Sequence, residues 1–153
     1  MIKNKLYFII LIIFLNNLFL VSYAKDNVEF LTLKNNEVNL RQGPSFDYPV
    51  KLIYKKKYLP VIILNKIETW RQIKDHQNNS GWIHISQLTK RRSAININEN
   101  SIVYKKPTIY SKPIVKLKTG RLVLIKKCKK EWCQIKTGNY KGWILKKFLW
   151  GKI

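Results

Sequence analysis

Acidic residues are scarce in this chain: 8 Asp and Glu stand against 30 Lys and Arg in 153 residues, a net charge of +22. Most cations therefore have no carboxylate to pair with, so the chain attracts anionic partners with a strong dependence on salt. Alanine, the best helix former, occurs only at Ala24 and Ala94, while Ile, Val, Tyr, Trp and Phe are plentiful. That balance points to an all-β protein. The longest unbroken apolar run, Leu6 to Leu15, is ten residues, short of the ~20 that a spanning helix needs. No Cys precedes Cys128, which excludes a lipid-modified cysteine at the start of a mature chain. The length leaves no room for a barrel of eight strands and eight helices. The 46% hydrophobic content still suffices for a core, so the charge does not imply disorder.

The N-terminus reads as an export signal. Lys3 and Lys5 precede the apolar run, and Ser22-Tyr23-Ala24 presents small residues at the point of cleavage. Residues 1–24 are expected to be a signal peptide, with a mature, periplasmic or secreted chain starting at Lys25. Cleavage removes only Lys3 and Lys5 among the charged residues and leaves +20. Lys outnumbers Arg 25 to 5, so an A/T-rich coding sequence and an anionic partner are both sufficient origins for the charge. Export separates the protein from cytoplasmic nucleic acid, and a nucleic-acid partner is not expected. An anionic envelope surface is.

An internal repeat organises what remains. Trp70-Arg71-Gln72-Ile73-Lys74 matches Trp132-Cys133-Gln134-Ile135-Lys136 at an offset of 62, and Gly81-Trp82-Ile83 matches Gly142-Trp143-Ile144 at an offset of 61. Val61-Ile62-Ile63 aligns with Val123-Leu124-Ile125, and Val50-Lys51-Leu52 with Val115-Lys116-Leu117. These matches delimit two modules, residues 28–90 and 99–153, joined by a connection at 91–98. Val38-Asn39-Leu40-Arg41 and Trp70 to Lys74 alternate with period two, and Pro60 to Leu64 is a short continuous apolar run. Turn-forming residues separate them at Gln42-Gly43-Pro44-Ser45 and Asp75 to Ser80, with Thr137-Gly138-Asn139 at the corresponding point of the second module. Four or five short strands in sixty residues predict a small, strongly bent barrel. Domains of this size are marginal alone, so packing of the modules against each other is expected to help.

The order Val38-Asn39-Leu40-Arg41-Gln42-Gly43-Pro44-Ser45, an apolar strand, Trp70-Arg71-Gln72-Ile73, then Gly81-Trp82-Ile83 and Leu88 resembles the bacterial SH3-like domain family. Module two keeps Trp132, Gly142 and Trp143 but has Tyr104-Lys105-Lys106-Pro107 in place of the Asn39 to Pro44 segment. The resemblance implies two five-stranded SH3-like barrels in tandem and an exported binding module, often directed at cell-wall peptides. It does not carry over the recognition of Pro-rich ligands by eukaryotic SH3 domains, because Asp47 is the only acid between Gln42 and Tyr48.

Cys128 and Cys133 flank a predicted four-residue hairpin loop, Lys129 to Trp132, and face each other at a separation suited to a disulfide. Module one has Lys66 and Arg71 at these places. Two Cys and two His spread over two modules form no ligand cluster, so neither a metal nor a cofactor is expected. Catalysis is not expected either. His76 and His84 have no counterparts in module two, no Gly-x-Ser-x-Gly turn is present, and no histidine follows Cys133 to activate a thiol.

The aromatic residues have two readings. Trp70, Trp82, Trp132 and Trp143 are repeated and are expected to plug the cores, and Trp150 to seal the second barrel. Tyr48, Tyr54 and Tyr58 lie near loops of module one and are candidates for a groove. The proposed ligand-binding set is Arg41, Asp47, Tyr48 and Tyr54: an Arg beside a glycine turn can pair with a stem-peptide carboxylate while tyrosines cover its aliphatic part. Arg41 and Asn39 have the alternative role of satisfying backbone groups of that turn. The expected function is non-catalytic binding of peptidoglycan or its stem peptide. The rivals are an adaptor for another envelope protein and a charge-driven binder of anionic lipid or lipopolysaccharide.

Overall fold

The computed structural model describes residues 28–153. The expected signal peptide, 1–24, lies outside the described residues. The strands are β1 (Phe30–Leu33), β2 (Val38–Arg41), β3 (Val50–Tyr54), β4 (Pro60–Ile67), β5 (Trp70–Lys74), β6 (Ser80–His84), β7 (Leu88–Thr89), β8 (Ser93–Asn96), β9 (Ser101–Tyr104), β10 (Pro113–Leu117), β11 (Leu122–Lys129), β12 (Trp132–Thr137), β13 (Tyr140–Leu145) and β14 (Leu149–Gly151). They form two seven-stranded antiparallel sheets with the same topology, β3-β2-β6-β5-β4-β1-β7 and β10-β9-β13-β12-β11-β8-β14. Two tandem SH3-like units result, each bent into a barrel around its own core. The two additional elements per unit, compared with the five expected, are the short strands that open and close it.

Alternation produces the cores. In β2, Val38 and Leu40 are buried while Asn39 and Arg41 reach the surface region. Leu33, Leu40, Val61, Ile73 and Ile83 gather in the first unit, and Val103, Val123, Ile135 and Ile144 in the second. The register places Leu40 opposite Leu52 and Val103 opposite Val115. Leu52 and Val115 are therefore the equivalent residues, and the expected alignment of Val50 with Val115 is two residues out. The exposed edge strands β3 and β10 carry too little core pattern to set that register from sequence.

The segment expected to be a connection, 91–98, contains β8, the first strand of the second sheet, pairing with β11 and β14. All four of its residues are buried. Ala94 joins the core of the second unit, whereas Ile95 on the opposite face joins the core of the first. Ser93 Oγ donates to the Tyr58 carbonyl at 2.6 Å, and Leu122 packs on the first core beside Ile95. Trp150, expected to seal the second barrel, lies instead at this seam: its ring meets Phe30 edge-on at 5.1 Å and His76 at 6.0 Å.

The hairpin between β11 and β12 is tighter than expected. Lys129 pairs with Trp132, leaving Lys130 and Glu131 as a two-residue turn, and Cys128 faces Cys133. They form a disulfide with Cα atoms 4.0 Å apart. In the equivalent hairpin Lys66 faces Arg71, a like-charge pairing that costs stability unless the side chains diverge. They do diverge: Lys66 pairs with Glu29, and Arg71 Nη1 donates to the Glu68 and Trp70 carbonyls.

The repeated Gly-Trp-Ile has a steric cause. A methyl group on Gly81 would lie 2.6 Å from the Arg41 carbonyl oxygen, and one on Gly142 2.7 Å from that of Tyr104. At these points β6 and β13 cross onto β2 and β9 through the single pairs Trp82 with Arg41 and Trp143 with Tyr104. Gly81→Ala and Gly142→Ala are each expected to lower stability by about 1–3 kcal/mol, the usual cost of overpacking, as read by chemical denaturation. Reduction of the disulfide closes no new contact but frees the unfolded chain, and is expected to cost about 2 kcal/mol in the same measurement.

Candidate functional site

The site is built on the loop between β2 and β3, residues 42–49. Arg41 closes it from inside: its Nη1 donates to the Phe46 carbonyl at 3.0 Å and the Tyr48 carbonyl at 2.7 Å. The Gln42 amide donates to the Pro49 carbonyl across the base. Ser45 Oγ donates to Asp47 Oδ2 at 2.7 Å and accepts from the Asp47 amide at 3.1 Å. Tyr48 lays its ring over Gly43, where any side chain would collide with it. So fastened, the loop holds Phe46 62% exposed on a base of Trp70 and His84, with ring centroids 4.9 and 5.4 Å away. Trp70 and His84 meet each other edge-on at 5.3 Å. His84 Nδ1 accepts from the Ser86 amide as the cap of a 3-10 turn and lies 2.8 Å from Ser86 Oγ.

The four proposed ligand-binding residues therefore have different places. Asp47 and Tyr48 are exposed on the loop beside Phe46. Arg41 is committed to backbone carbonyls at Nη1, which favours its turn-satisfying role over direct pairing with a ligand. Tyr54 is not a groove residue. Its side chain is buried in the first core, and its hydroxyl donates to Asp75 Oδ2 at 3.0 Å. Sequence placed it at a strand edge correctly, but the inward face of an edge strand belongs to the core. Tyr58 lies at the seam, stacked under Arg91 at 4.6 Å.

The sequence pattern does not mark Phe46 or Asp75 as site residues. Phe46 is the outermost aromatic of the loop, a position no local pattern distinguishes from that of Tyr48. Asp75 is buried and accepts from Tyr54 Oη, the Gln77 and Asn79 amides and Asn79 Nδ2. It organises the whole β5–β6 turn, and the one sequence signal is an acid followed by Asn78-Asn79, a common Asx-turn setting.

The second unit has the same loop frame with other side chains. Lys105 donates its amide to the Lys112 carbonyl as Gln42 does to Pro49, and Pro107 takes the place of Pro44. The turn thus keeps its place in the second unit, with Lys106 standing where the first has Gly43. Tyr104 replaces Arg41 and packs edge-on against Trp132 at 5.7 Å. Ile109 and Tyr110 occupy the exposed tip, Tyr110 at 92%.

Bacterial SH3 domains match this chain twice, over residues 34–90 and 98–151. The chain belongs to the bacterial SH3 domain family. Family membership suggests a cell-wall-associated binding module, and with the disulfide it points to an extracellular location. Among solved structures, NlpC2 from Trichomonas vaginalis is similar at 17% identity and a TM-score of 0.38, with 84% of this chain and 50% of that one covered. NlpC1 from the same organism is similar at 16% identity and a TM-score of 0.37, with 84% and 47% covered. The chain thus spans about half the length of these two proteins. No curated protein matches it. No helix of the described residues of this SH3 protein is long and apolar enough to cross a membrane.

Burial of Tyr54, the charge of Asp75 and the hydrogen bond to it, in that order, push the phenol above its ordinary value of 10.0. A folded-state value above the unfolded one stabilises the fold fully below pH 10, and that contribution is lost as the pH climbs past it. Alkaline unfolding is expected to release a tyrosinate absorbance that the native protein withholds. Tyr54→Phe should remove this component and, by leaving Asp75 one donor short, cost about 1–3 kcal/mol at neutral pH.

Proposed function

We propose that this protein is an exported, non-catalytic binding module of the cell envelope that recognises peptidoglycan or its stem peptide through the loop of the first unit. The observation that carries the reading is Phe46, a large aromatic held in water by a loop that Arg41, Ser45 and Tyr48 fasten from within. A side chain ordered before binding loses little freedom on contact, so its buried area converts efficiently to affinity. Phe46 and Tyr48 would cover the aliphatic parts of a short peptide, Asp47 would offer a carboxylate to its ammonium groups, and the surrounding excess of Lys would attract its carboxylates. Arg41 serves as a positioning residue.

A second reading, an adaptor for another envelope protein, is favoured by β3. It is an edge strand with Val50, Leu52 and Ile53 exposed, open to pairing with an added strand.

The test is retention on purified cell wall at low and high salt. Wild type is expected to stay bound at high salt, and Phe46→Ala with Tyr48→Ala to weaken retention at least ~10-fold while the fold persists, the effect of removing aromatic anchors. Equal retention of the double variant refutes the loop as the site. Release of wild type by salt leaves charge alone, and no retention at either salt favours the adaptor.

A further inference from the structure

A cleft of about 400 Å³ opens between the two units, lined from the first by Lys56, Tyr58 and Arg91 and from the second by Arg121, Lys126 and Lys136, among others. It contains five cations and no acid among its lining residues. Among the described residues the only ion pair is that of Lys66 with Glu29, so none of the five is neutralised. No residue of the Phe46 loop takes part.

Three of the cations are held in place, the first being Lys56, whose Nζ donates to the Gly120 carbonyl of the second unit at 3.4 Å. Arg121 Nε donates to Thr137 Oγ1 at 2.9 Å, and that hydroxyl in turn donates to the Leu122 carbonyl at 3.1 Å. Arg121 Nη2 lies over Gly138, 3.5 Å from where a side chain there would begin, so the glycine leaves room for the guanidinium. On the opposite wall the guanidinium of Arg91 stacks on the Tyr58 ring, and Tyr58 is fixed through its carbonyl by Ser93 Oγ. An adjoining hollow of about 460 Å³ shares Lys56, Arg121 and Thr137 and adds Lys116 and Lys118. Like charges brought together by folding repel one another, and the arrangement is relieved only by an anion. Preorganised guanidinium groups from both walls match the oxygens of phosphate in particular, because each presents a planar fork of donors.

The geometry points to this cleft as a binding site for a phosphate-bearing ligand with at least two negative charges, gripped by Arg91 of the first unit and Arg121 of the second. The ligand would be the terminal phosphates of a soluble or polymeric compound, or the phosphates of lipid headgroups. It would also tie the units together, because its two principal partners belong to different barrels.

Pyrophosphate is the probe, titrated calorimetrically into the purified protein at physiological ionic strength. Saturable binding with one site is expected, weakened at least tenfold by Arg91→Gln with Arg121→Gln. Because Arg121 also supports Thr137, a second variant, Lys126→Glu with Lys136→Glu, reverses two exposed charges of the cleft without touching that hydrogen bond, and it should abolish binding. Lys105→Gln with Lys106→Gln removes the same charge as the arginine variant from the distant loop of the second unit and should leave binding within twofold. Absence of saturable binding, or equal losses in the loop variant and the cleft variants, overturns the site and leaves only the diffuse field of the net charge. Sedimentation with vesicles of phosphatidylcholine and phosphatidylglycerol assigns the source. Co-sedimentation that pyrophosphate displaces supports a headgroup, and saturable pyrophosphate binding without co-sedimentation supports a soluble or polymeric phosphate.

Discussion

A four-residue strand with no solvent-facing side holds this protein together. Ser93 to Asn96 pair with β11 and β14 within the second sheet, yet Ile95 completes the hydrophobic core of the first unit. A barrel of some sixty residues buries too little surface to be robust, and sharing one strand between two cores enlarges both at once. Trp150, Phe30, Leu122 and the bond from Ser93 to Tyr58 all gather around this element. The seam thus fixes the placement of the Tyr58 and Arg91 wall against that of Arg121, and the cleft between them follows from it.

The two units diverge by coordinated exchanges rather than by scattered ones. In the first, Tyr54 brings a hydroxyl into the core, and Asp75 is buried to receive it. In the second, Leu117 stands where Tyr54 would be, and the position of Asp75 is held by Thr137, whose single hydroxyl is satisfied by Arg121 and the Leu122 carbonyl. A buried acceptor is retained only where there are donors to meet it. Likewise Arg41 and Phe46 of the first loop give way to Tyr104, which packs on Trp132 directly from the strand. The cross-strand cation pair of one hairpin becomes a covalent bridge in the other.

Much of this was legible in the residues. Alternation in Val38 to Arg41, the repeated Trp and Gly-Trp-Ile, and the facing cysteines all report local geometry, and local geometry is what short sequence patterns encode. Arg41's bonding to its own loop is one of the two roles that an Arg beside a glycine turn allows. The failures share a cause. Ser93 to Asn96 reads as a connection because a strand buried on both faces by two different barrels shows neither alternation nor a long apolar run. Tyr54 reads as a surface residue because the inward side of an edge strand is set by the register with β2, which a bulge shifts between Leu40 and Arg41. The cleft draws its cations from segments up to eighty residues apart in the chain, and no motif of the sequence joins them.

The shared strand has a further consequence for the paired loops. Tandem domains on a flexible tether search independently, and each gains from the other through a broad effective concentration. Here the tips bearing Phe46 and Tyr110 are parts of one body, and the distance between them is fixed by folding. If both tips bind, such a pair would gain avidity only from a ligand whose own repeat matches that distance, and none from a monomeric fragment. Were both tips to bind one polymer, its spacing would be read by the seam strand Ser93 to Asn96, which places the tips, rather than by any side chain that touches the ligand.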